Sequence, residues 1–169
     1  MSYVPKEYWL EHGKNYKMNF MYADSFRLQE KILLDYLQGI TPFSTVLEVG
    51  CGFGRITKLI LSNFSENREY IVTDLSADQI NEAEKYVSDL RSSRPLRFIV
   101  SDIQSLDLKN KYDLVLASEV LMHVLPSDIE RTLRDRKRNW KTCGYDLSMS
   151  SNPAKYSVKR CSGAEYWIL

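Results

Sequence analysis

The chain has 169 residues, 44% of them hydrophobic and 27% charged, which fits one folded domain with a single core. Its formal net charge of +1 hides a split: residues 131–169 are net +6, a tail that could meet an anionic partner, and residues 1–130 net −5. Such a basic run is more commonly a solvated face than a partner site. No apolar run reaches the roughly 18 residues of a membrane helix and the first ten residues lack a signal-peptide pattern, so no membrane partner is expected and the cytoplasm is the expected compartment. Cys51, Cys143 and Cys161 form no C-x-x-C pair, and only His12 and His123 are present, so neither a disulfide framework nor a zinc or histidine metal site is expected. Composition leaves a carboxylate-only magnesium site open.

In chain order, residues 1–40 read as an N-terminal lid and helix. Tyr3, Tyr8, Trp9, Tyr16, Phe20 and Tyr22 crowd aromatics into a polar segment, either as a core edge or as a lid over a ligand. A helix capped by Asp24 or Ser25 then carries Leu28, Ile32, Leu33, Tyr36 and Leu37 on one stripe and is expected to stop at Gly39.

Residues 41–125 read as the core. Thr45–Val49 is apolar on both faces except for Glu48, the pattern of a buried parallel strand. It runs into Gly50, Cys51, Gly52, Phe53 and Gly54, where glycine lets the backbone turn sharply and approach a ligand. Ile56, Leu59, Ile60 and Phe64 follow at helical spacing, so a helix N-terminus faces the same place and favours a negatively charged or carboxylate group. On its own the loop fits tight strand-to-helix packing as well as it fits binding, and Cys51 reads first as a small packing residue and second as a reactive thiol.

Further strands are expected at Tyr70–Thr73, Arg97–Val100 and Tyr112–Ala117, ending at Asp74, Asp102 and Ser118-Glu119. Ser76 and Gln79 make a capping box for a helix with Ile80, Ala83, Val87 and Leu90 inward. This alternation predicts an α/β, Rossmann-like sheet with helices on both faces and its ligand beyond the carboxyl ends of the strands. Residues 126–169 form an atypical C-terminal segment. A helix from Ser127 to about Trp140 is expected, then short strands at Tyr145–Met149, Tyr156–Arg160 and Tyr166–Leu169.

The spacing E-x-G-x-G-x-G from Glu48 to Gly54 resembles the first motif of the class I S-adenosylmethionine-dependent methyltransferases, small-molecule type. The nicotinamide fingerprint G-x-G-x-x-G/A fits less well, because Arg55 stands at its last position. Asp74, 26 residues after Glu48, suits a ribose diol, because two carboxylate oxygens match two vicinal hydroxyls, or else caps the helix that follows. The resemblance covers about residues 40–125 and implies one cofactor, S-adenosylmethionine. It implies that Glu48 and the Gly50, Cys51, Gly52 and Gly54 loop hold the methionine part, Asp74 and Leu75 the ribose, Asp102 and Ile103 the adenine, while Ser118 lines the sulfonium end. The Tyr8-Trp9 pair with Gly13 and Tyr16 resembles the segment that folds over the cofactor in this family. Glu119 and His123, in the stretch E-V-L-M-H, are the candidates for proton transfer, although the family histidine often only packs beside the cofactor.

The expected activity is methyl transfer to a small-molecule acceptor; the alternatives are a cofactor-binding protein without catalysis and a nucleotide-dependent oxidoreductase. An N/D/S-P-P-Y/F motif, which similar enzymes use to hold an amine of a nucleobase or glutamine, is absent after the fourth strand, which lowers the expectation of base N-methylation and leaves RNA or protein substrates open, though a nucleic-acid partner is not expected; Asn152-Pro153-Ala154-Lys155-Tyr156 lies too late and reads as a turn. With only 29 residues after Trp140, the C-terminal part is expected to be abbreviated relative to a seven-stranded sheet, as an altered end of a longer ancestor. An open sheet edge would favour a homodimer.

Overall fold

The computed structural model describes residues 4–15, 24–65, 68–93, 95–106, 112–125, 127–128 and 165–168. Helix α1 spans Pro5–His12 and continues as a 3-10 turn over Gly13–Asn15, and α2 spans Asp24–Ile40. Strand β1 (Thr45–Val49), α3 (Arg55–Asn63), β2 (Glu69–Asp74), α4 (Ala77–Tyr86), β3 (Leu96–Val100), β4 (Leu114–Ala117) and β5 (Glu165–Ile168) follow. The strands form one five-stranded sheet in the order β3-β2-β1-β4-β5, every pair parallel. The chain therefore reverses direction of travel across the sheet at β1, between β2 on one side and β4 on the other, which is where a parallel sheet opens a crevice.

Side chains alternate across the strands with a period of two, and the two sets build two cores. Val46, Tyr70, Val72, Leu114 and Leu116 pack with Leu33 and Leu37 of α2, Ile56, Ile60 and Leu61 of α3, and Ile80 and Ala83 of α4. Leu47, Val49, Ile71, Val115 and Ala117 pack on the other face with Leu106 and Tyr112. Near-complete burial on both faces explains why the central strands are apolar runs rather than alternating ones.

Thr45–Val49 is the strand the sequence predicts, residue for residue. Helix α2 runs one residue past the expected stop. Gly39 stays helical on an exposed flank, the Thr41 N–H closes on the Leu37 carbonyl, and Ile40 still packs on the core. Strand β4 begins at Leu114 rather than Tyr112; just before it the Asp113 carboxylate accepts from the N–H groups of Ser44 and Thr45 while the Asp113 N–H donates to the Thr45 carbonyl. Of the three C-terminal strands expected, the last appears as β5, in register Leu114 to Glu165. The helix expected from Ser127 is helical at residues 127 and 128, and beyond them it lies outside the described residues, as do the strands expected at 145–149 and 156–160.

Candidate cofactor and acceptor site

A cavity of about 330 Å³ lies across the carboxyl ends of β1, β2, β3 and β4. Gly50 and Gly52 line it after β1, Asp74 and Leu75 after β2, Asp102 and Ile103 after β3, and Ser118, Glu119 and His123 after β4. The sequence-predicted residues at all four strand ends thus meet in one space.

The loop after β1 is tied to the end of β2. The Cys51 N–H donates to the Thr73 carbonyl (3.0 Å) and the Gly52 N–H to Asp74 Oδ2 (2.8 Å), while Asp74 Oδ1 accepts from the Ser76 N–H (2.9 Å). Gly50 and Gly52 have φ of 68° and 55°, a left-handed turn that L side chains rarely adopt. A Cβ on Gly50 would run into Val120. Burial raises the Asp74 carboxyl from its ordinary value, against the Ser76, Gly52 and Leu75 N–H groups that favour its charge.

Three predicted residues lie elsewhere. Glu48 falls on the helix-covered face, as the period of two from Val46 requires, and accepts from the Tyr70 hydroxyl (2.5 Å) and the Thr57 hydroxyl (2.8 Å) instead of lining the cavity. Burial pushes its carboxyl up to about 7. Cys51 is buried in the same core and burial pushes its thiol well up, which removes the reactive-thiol reading and leaves packing. Gly54 (φ 89°) begins α3 where α3 meets α4; a Cβ there would lie 3.0 Å from Ala83 Cβ, so its smallness serves helix packing. Tyr16 lies outside the described residues.

Helix α1 crosses the cavity. Lys6 Nζ bonds Asp102 Oδ2 at 2.8 Å, the Trp9 ring meets the His123 ring edge-on at 4.9 Å, and the Gln79 amide donates to the Gly13 carbonyl. Burial lowers the His123 pKa below its ordinary value, the Glu119 charge opposing, so the ring is neutral at neutral pH. Lys6, Gln79 and Ser76 line the cavity but were not predicted as site residues. Trp9 and Gly13 carried a usable signal, the Tyr8-Trp9 pair followed by Gly13; Lys6 carried none.

Two buried polar atoms at the cavity wall have no hydrogen-bond partner among the described residues, Ser118 Oγ and Gln79 Oε1. A buried hydroxyl or amide oxygen without a partner costs about 1–3 kcal/mol, so both fit a polar ligand that would supply one. With the Asp74 carboxylate and the bare glycine turn beside them, the residues present fit an adenosyl group joined to an amino acid.

A parallel sheet with a cavity over the ends of four strands around its crossover point defines a Rossmann-like ligand-binding domain. Residues 47–142 match the family described as methyltransferase domain, and the chain belongs to that family. It is similar to highly reducing polyketide synthase 2 of Gibberella zeae, 32% identical over 75% of this chain and 6% of that protein. It is also similar to phosphoethanolamine N-methyltransferase 1 of Arabidopsis thaliana, 27% identical over 93% of this chain and 35% of that protein. The chain thus spans about a third or less of the length of these relatives. Its fold is that of magnesium protoporphyrin IX methyltransferase from Synechocystis PCC 6803, crystallised with bound SAM, at a TM-score of 0.65 and 17% identity over 82% of this chain and 73% of that one.

Proposed function

We propose that the chain binds S-adenosylmethionine in this cavity and transfers its methyl group to a small-molecule acceptor. The observation that carries the reading is the convergence of Gly52, Asp74, Asp102 and Ser118, from four strand ends, on one cavity. In this reading Gly50 and Gly52 take the methionine part, Asp74 and Leu75 the ribose, Asp102 and Ile103 the adenine, and Ser118 the sulfonium end. Glu48, Cys51 and Gly54 shape the loop from behind. When bound, the cofactor supplies a methyl group already activated on a sulfonium, so a metal or strong nucleophile is not required of the protein.

The chain's own task is alignment and water exclusion, and orientation of that kind can supply about 7–11 kcal/mol of a barrier. Helix α1 covers the cavity through Trp9 and Lys6, which fits a closed site. His123, neutral and beside Glu119, is suited to accept a proton from a hydroxyl or amine acceptor at a ring nitrogen. The free thiol of Cys51 fits a reducing compartment such as the cytoplasm. For a homodimer, the support is that β3 pairs only with β2 among the described strands and leaves Val100 half exposed at the sheet edge.

Calorimetry of the wild-type chain with S-adenosylhomocysteine and with NADH tests the cofactor. Saturable binding of the first and none of the second is expected, and the reverse would end the reading. Mass spectrometry of an acceptor panel incubated with chain and cofactor then tests transfer, with a gain of one methyl group as the expected product.

A further inference from the structure

We propose that Gln29 is a positioning residue that holds the Glu119 carboxylate at the sulfonium end of the cavity, so that the site favours the charged sulfonium over the uncharged thioether; this rests on the cofactor reading above. Glu119 is the one non-glycine residue with positive φ (57°) among the described residues. L residues adopt that backbone only where their surroundings impose it. It directly follows Ser118 at the end of β4, next to β1 and its glycine turn, and lines the cavity.

What holds it comes from 90 residues away. Gln29 Nε2 donates to Glu119 Oε1 at 2.8 Å, and Gln29 Oε1 accepts from Arg55 Nη2 at 3.3 Å. Arg55 opens α3 immediately after the glycine turn, pairs with Glu30 at 3.1 Å and sits 4.4 Å over the Phe26 ring. A side-chain amide donates to a carboxylate with its nitrogen and accepts from a guanidinium with its oxygen. A glutamate at 29 would repel Glu119, and a leucine would satisfy neither neighbour. The amide therefore couples the two loops that flank the central crevice, one after β1 and one after β4, through α2. A carboxylate fixed at that wall attracts a ligand carrying positive charge on sulfur more than the same ligand without it.

Calorimetry with S-adenosylmethionine and S-adenosylhomocysteine, each titrated separately, tests this on the wild type, Gln29→Leu, Gln29→Asn and Glu119→Gln. The wild type is expected to prefer S-adenosylmethionine. In both Gln29 variants and in Glu119→Gln the ratio of the two affinities should fall by about fivefold. A loss of general packing lowers both affinities together and leaves the ratio where it was, so an unchanged ratio in the variants overturns the positioning role. Gln29→Asn keeps a polar side chain too short to span both partners and serves if Gln29→Leu does not fold. A wild type that binds neither ligand overturns the cofactor reading and this inference with it. A wild type that binds both equally overturns this inference alone.

Discussion

Tyr70 donates its hydroxyl hydrogen to Glu48 Oε2 at 2.5 Å, inside the core between the sheet and its helices, with Thr57 donating to the same oxygen. Both donors favour the ionised carboxylate, yet burial outweighs them and the group titrates at about 7 instead of its ordinary 4.5. Between those two pH values the folded chain keeps a proton that the unfolded chain has lost. Stability should therefore fall as pH rises from about 4.5 to about 7 and level off above, by roughly 3 kcal/mol. Glu48→Gln keeps an oxygen for both hydroxyls and cannot ionise. Urea unfolding at pH 5 and pH 8 should show a stability difference in the wild type that is smaller by that amount in the variant. Equal slopes in the two proteins would refute the buried, proton-holding carboxyl.

Gly54 is not among the residues that line the cavity and is expected to matter chiefly for stability. Its φ is 89°, and a methyl group there would stand 3.1 and 3.0 Å from the Ala83 Cα and Cβ atoms, which leaves no room for alanine without moving α3 against α4. Gly54→Ala should cost about 2 kcal/mol, from backbone strain and overpacking together. Ala83→Gly on that background should recover part of it. Chemical denaturation reads both, and affinity for S-adenosylhomocysteine measured well below the transition should change far less than stability.

How much of this was legible in the sequence differs by residue, for physical reasons. Thr45–Val49 was readable because a strand buried on both faces has no polar alternation, and Ser76 because an N-cap is a local event: its hydroxyl accepts from the Gln79 N–H. Asp74, Asp102 and Ser118 were readable as a group, since parallel strands present their carboxyl ends on one side. Glu48 was misplaced because a motif was read as one surface, whereas the strand's period of two sends Glu48 to the Tyr70 side and leaves Val49 at the cavity. Beyond the strand, Cys51 turns into the core and Gly54 already caps α3 against Ala83, so of the turn only Gly50 and Gly52 face the cavity. Gln29 and Lys6 could not be found, because their partners Glu119 and Asp102 lie 90 and 96 residues away and a polar helix residue carries no sign of a distant contact.

Asp74 is expected to be the residue on which cofactor affinity depends most. It fixes the Gly52 and Ser76 N–H groups and, in the proposed function, also accepts the ribose hydroxyls. Hydrogen bonds to a charged group are worth about 1.5–3 kcal/mol, so Asp74→Ala should weaken S-adenosylhomocysteine binding by roughly ten- to a hundredfold. Calorimetry supplies the affinity, and a thermal melt separates it from the loop's own loss of order. A variant that melts lower yet binds as the wild type does would restrict Asp74 to the loop.

Lys6 and Asp102 join helix α1 to the end of β3 at 2.8 Å, with the lysine side chain 56% exposed and the aspartate 16%. An exposed pair of this kind contributes at most about 1 kcal/mol, so Lys6→Met should leave the melting temperature nearly unchanged. Its effect should appear in kinetics. Helix α1 crosses the cavity, held here by Lys6, at its middle by Trp9 against His123, and at its end by Gly13 under the Gln79 amide. Removing the first of these ties loosens the cover where the adenine is proposed to lie, and the dissociation rate of S-adenosylhomocysteine should rise by up to about fivefold. Raising ionic strength should accelerate release from the wild type and leave Lys6→Met largely unaffected, because salt screens an exposed pair that the variant lacks. Stopped-flow displacement at low and high salt measures both, and an identical salt response in the two proteins would show that α1 is not held over the ligand by this pair.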